Sequence, residues 1–113
     1  MIIDILQTIA VIGTILTGLF SLFAPMKIEG FTGINPVGGR GLTEIRSIFG
    51  GLFIGLGVAA FLLDSAISYP MLGIMYLAIS AVRVVSMFID KSFERSNIIS
   101  LMAEILLGII LVI

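Results

Sequence analysis

Four long apolar runs separated by short polar stretches dominate this chain, and few folds other than a membrane-embedded one can absorb them. The first, Ile5 to Met26, contains no charged residue, and further runs cover about 42–63, 69–89 and 97–113. About 20 apolar residues in a helix suffice to cross a bilayer. Lipid offers the backbone no hydrogen-bond partner, so a spanning segment must satisfy its own N–H and C=O groups, which an α-helix does. The expected fold is therefore all-α, a single integral membrane four-helix bundle over residues 1–113, with helices at about 2–23, 42–63, 69–89 and 97–113. Composition agrees, with 59% hydrophobic residues, 12% charged and a mean hydropathy of +1.28, far from a soluble average.

What the chain lacks narrows its chemistry. With no cysteine and no histidine, disulfides, thiolate or imidazole metal sites, and thiol or imidazole catalysis are excluded. We assign no metal site, no cofactor and no catalytic residue. The net charge of -1, without a basic cluster, gives no footprint for nucleic acid. The first run has Asp4 and no lysine or arginine before it, so it reads as a retained helix rather than a secretory signal. Ala24-Pro25 ends it, because proline interrupts the hydrogen-bond ladder.

Residues 24–41 form a Gly/Pro-rich loop with Gly30, Gly33, Gly38, Gly39, Gly41 and Pro36. Neither GxxxxGK[ST] nor GxGxxG occurs in it, so a phosphate cradle is not indicated, and a flexible connector or lid is expected. Basic residues near helix ends favour the cytoplasm. Lys27, Arg40, Arg46, Lys91 and Arg95 all flank the first and third connections, and none flanks the termini or the second connection. Both termini are thus expected on the non-cytoplasmic side.

Ionisable residues inside spans are costly and mark candidate sites. Arg83 lies seven residues inside the end of helix three at Asp90, and Glu104 seven inside the start of helix four at Asn97. At about 1.5 Å per residue both sit roughly 10 Å deep, where they can meet. Glu44 and Arg46 lie shallower, in the first turns of helix two. With Asp90, these residues form the candidate ligand-binding or buried charge cluster. Helical phase puts Glu104 on a stripe with Asn97, Ser100 and Gly108, and Arg83 on one with Tyr76, Ser80, Ser86 and Asp90. Helix two carries a small-residue ridge, Ser47, Gly51, Gly55 and Ala59, and a second face with Arg46, Gly50, Phe53 and Gly57. Small residues permit close backbone approach, so Ser47, Gly50, Gly51, Gly55 and Gly57 are expected at helix contacts, within the chain or in a homo-oligomer.

The run Gly41-Leu42-Thr43-Glu44-Ile45-Arg46-Ser47-Ile48-Phe49-Gly50-Gly51, followed by Arg83, Asp90 and Glu104, resembles the small bacterial membrane family catalogued as domain of unknown function 4345, itself similar to the DoxX-like four-helix proteins. The resemblance spans the whole chain, and its most specific part is Glu-x-Arg followed by Gly-Gly. It implies a bacterial inner-membrane location and a binding or accessory role at least as readily as catalysis. Three functions follow as expectations. The charges can bind the polar head of a lipid, quinone-like or other amphiphilic molecule, with Phe53, Met75 and Tyr76 as cavity wall. They can instead be structural salt bridges in an accessory subunit with a membrane protein partner. A small proton-coupled transporter is the third reading. No nucleophile or cofactor motif accompanies the carboxylates, which weighs against an enzyme.

Overall fold

The computed structural model describes residues 1–113 and is all-α, without a strand. Four helices are long and apolar enough to cross a membrane: α1 (Ile2–Phe23), α2 (Gly38–Leu63), α3 (Ser68–Asp90) and α4 (Arg95–Val112). At 1.5 Å per residue they are roughly 27 to 39 Å long, against a hydrocarbon core of about 30 Å. Between α1 and α2 the chain makes a 3₁₀ turn, Pro25–Ile28, and one α-turn, Glu29–Thr32.

The second helix starts at Gly38, inside the stretch expected to be a loop. Glycine costs about 1 kcal/mol per helical position against alanine, but near a bilayer backbone groups must bond within the chain, and that requirement wins. Gly38 turns the chain into α2 with φ +63. Gly41 is held close to Pro36, whose carbonyl carbon would lie 3.0 Å from a Cβ placed there.

Within α2, Ile45–Leu52 winds as a π-helix. A π turn absorbs one more residue than an α turn, which brings the position five residues back round towards the same face. Ile45 and Gly50 accordingly are both buried, whereas Arg46, which an unbroken α-helix would align with Gly50, is exposed.

Two compact units make up the chain: Met1–Ala10 with Asp64–Ile113, and Val11–Leu63. In the second unit α1 and α2 approach closely through glycines. A Cβ on Gly18 would lie 2.8 Å from the Gly50 carbonyl oxygen and 2.7 Å from Ile54 Cγ1, and one on Gly57 would collide with Ile15 Cγ1. Ser47, Gly51 and Gly55 are exposed, and a Cβ on Gly55 would meet nothing within 4 Å. The face that packs is therefore the Gly50–Gly57 one, because the π turn and the position of α1 set the phase of the helix.

In the first unit α3 and α4 form a helical hairpin. Its core is Leu72, Tyr76, Met87 and Leu111. Gly73 and Gly108 let the backbones nearly touch, since a Cβ on Gly73 would lie 2.8 Å from the Gly108 carbonyl oxygen. The α3 end closes with Lys91 in the left-handed region, φ 53, and the Ser92 N–H donating to the Met87 carbonyl at 3.1 Å, a Schellman-type stop. Phe88 and Phe93 stack edge-to-face across it at 5.2 Å. From the start of α1, Gln7 Nε2 donates to the Ile110 carbonyl at 3.1 Å, in the last turn of α4.

Candidate functional site

Arg83 and Glu104, placed at matching depth by the helices that carry them, meet in the α3–α4 hairpin. The contact is bidentate: Nε donates to Oε1 at 2.7 Å and Nη2 to Oε2 at 2.6 Å. A guanidinium fork matches a carboxylate in this way, giving two charge-assisted bonds with defined geometry. Nη1 donates to Asn97 Oδ1 at 2.8 Å. Asn97 in turn donates through Nδ2 to the Ser92 carbonyl at 2.8 Å and to Ser92 Oγ at 3.2 Å. One chain of bonds thus runs from the hairpin turn, through the first turn of α4, to a charge pair two turns deeper. The Glu104 side chain is 13% exposed and that of Arg83 31% exposed, so the carboxylate is the more enclosed partner.

The other candidate charges form no bond with this network. Glu44 accepts from Arg40 across one helical turn at 3.0 Å, and both are exposed, an arrangement worth a few tenths of a kcal/mol at most. Arg46 is exposed, on the π segment Ile45–Leu52. Asp90 is exposed at the last residue of α3. Of the residues expected to wall a cavity, Tyr76 is buried in the hairpin unit, Met75 is half-buried on the same helix, and Phe53 is half-buried on α2. Asn97 and Ser92 belong to the network although sequence reading singled out neither as a site residue. The polar stripe on helix four contained Asn97, and that was the available signal. Arg40 escaped notice as a partner of Glu44 because its glycine neighbours masked the helical i,i+4 spacing.

A second feature lies in the unit Val11–Leu63. The last turns of α1, the Pro25–Thr32 turn and Phe49 enclose an open groove of about 540 Å³ lined by Leu16, Thr17, Phe20, Ile28, Phe31 and Phe49, with Ser21, Lys27 and Thr32 completing it. That volume lies within the range of ligand sites, about 300–1,000 Å³. The hydroxyls of Thr17, Ser21 and Thr32 all donate to backbone carbonyls of the preceding turn, so the wall presents mainly carbon. Lys27 is its one charged residue and takes part in no ion pair.

No family model, curated protein or solved structure matches the chain.

Proposed function

We propose that this chain is a structural or accessory component of a bacterial inner membrane, in which Arg83 and Glu104 act as an internal clasp rather than as a ligand-binding pair. The observation that carries this reading is the placement of the Arg83 fork: its Nε–Nη2 edge is taken by Glu104 and Nη1 donates to Asn97, three bonds that all stay within the hairpin. A guanidinium kept for an anionic or carbonyl ligand would present that fork outward. Closed pairs of this kind fix register, since only one sliding position of α4 against α3 aligns both carboxylate oxygens with the two nitrogens. The Glu-x-Arg and Gly-Gly run, with its resemblance to DoxX-like proteins, agrees with an accessory role.

Blue native electrophoresis of host membranes tests the proposal. The wild-type chain should migrate in a complex larger than itself, and the doubly apolar variant Arg83→Met, Glu104→Leu should still enter that complex. Loss of a co-purifying amphiphile from that variant, with the fold retained, would instead make the pair a ligand site. The basic-residue asymmetry supports placing both termini on the non-cytoplasmic side. A cysteine at the exposed Ala66, between α2 and α3, should then be modified by a membrane-impermeant maleimide from the non-cytoplasmic side, and modification from the cytoplasm alone would reverse the orientation.

A further inference from the structure

The groove beside the Pro25–Thr32 turn is independent of the clasp and calls for an occupant of its own. We infer that it binds an anionic phospholipid, one acyl chain lying along Leu16, Phe20, Ile28, Phe31 and Phe49 and the phosphate held at the mouth by Lys27.

Three observations point to that chemistry. First, the wall is built largely of carbon, with the hydrogens of its three hydroxyls turned to their own backbones, so along its length it suits a hydrocarbon better than a polar solute. Second, the groove follows α1, a helix apolar enough to cross a membrane, from Ser21 to Leu16, roughly 8 Å along the helix axis. Its single cation lies just beyond the end of that helix. A chain-and-phosphate molecule has the same polarity: apolar along its length, negative at one end. Lys27 has no carboxylate partner, so its charge is available to a phosphate, and anionic lipids attract lysines near the membrane surface. Third, Phe49 reaches the wall from the π segment Ile45–Leu52. Such segments are rare and concentrate at functional positions. The π turn presents Phe49 to the groove while keeping its neighbour Gly50 against α1, where a Cβ would lie 3.2 Å from Leu22 Cβ.

The inference rests on the membrane location but not on the role given to Arg83 and Glu104. It is tested with the full chain in nanodiscs of equimolar palmitoyl-oleoyl phosphatidylglycerol and palmitoyl-oleoyl phosphatidylcholine, released gently and weighed by native mass spectrometry. The wild type should retain one phosphatidylglycerol at about fivefold over phosphatidylcholine, the factor one lysine contributes near an anionic headgroup. Lys27→Gln should bring the two lipids to parity, and Lys27→Glu should reverse the preference. Thr17→Trp, at an exposed position on the wall, should fill the groove and remove both lipids while helicity is kept. Equal retention of the two lipids by the wild type, an unchanged preference in Lys27→Gln, or full retention in Thr17→Trp would each overturn the inference. So would a lipid-free dimer that Thr17→Trp converts to monomer, which would make the groove an interface between two copies.

Discussion

Replacing Arg83 with methionine keeps the apolar stem and removes the fork. Glu104, 13% exposed, then loses both of its bonds, and Asn97 loses the Nη1 donor. Breaking one side of a buried pair costs about 3–5 kcal/mol. Because the Arg83 side chain is 31% exposed, the pair is only partly enclosed and the lower end, about 3 kcal/mol, is expected. Glu104→Leu should cost a similar amount by stranding the guanidinium. The double variant removes both charges, so no unpaired ion remains and its cost should fall well below the sum. A coupling of about 3 kcal/mol results, roughly 150-fold in the folding equilibrium. The chain has no cysteine, so dyes can be placed through single cysteines at Met71 and Ile113, both exposed, on the open ends of the hairpin. Energy transfer between them during titration with sodium dodecyl sulfate follows α3 and α4 separating. A coupling under about 0.5 kcal/mol would show that the two side chains act independently and refute the clasp.

Two further predictions concern the glycines and the π turn. Gly73→Ala should destabilise the hairpin by about 1–3 kcal/mol in the same titration, because the new Cβ meets the Gly108 carbonyl oxygen at 2.8 Å and the helices must part. Gly55→Ala, with nothing within 4 Å, should be neutral or stabilising by up to about 1 kcal/mol through helix propensity. Deleting Ser47 should relax the π turn to an α turn and leave Ile45, now four residues before Gly50, on the buried face. A cysteine at Ile45 should then stay protected from maleimide. Deleting Val58 from the regular part of α2 should instead rotate Gly57 against Ala60 by about 100° and lower stability sharply, as read by thermal unfolding in detergent.

How far the sequence alone reaches differs from residue to residue. Chain length in the membrane and the need to satisfy every backbone group are properties of the residues themselves, so the four apolar runs dictate four helices whatever surrounds them. The shared depth of Arg83 and Glu104 follows from counting inward from two polar helix ends, and their pairing follows from the cost of leaving either alone. The partner of Glu44 did not follow from that counting, since Arg40 sits among glycines that read as loop until α2 is seen to start at Gly38. Which glycines of α2 make contact was equally closed to periodicity, because one π turn shifts the phase between Arg46 and Gly50. The groove at Lys27 depends on how Pro25–Thr32 folds back beside α1, and a cavity is a property of the space between elements, not of any one of them. Local chemistry thus determined the helices and the Arg83–Glu104 pair. Only the tertiary structure decided the packing face of α2 and the form of the groove, because both depend on where one helix lies against its neighbour.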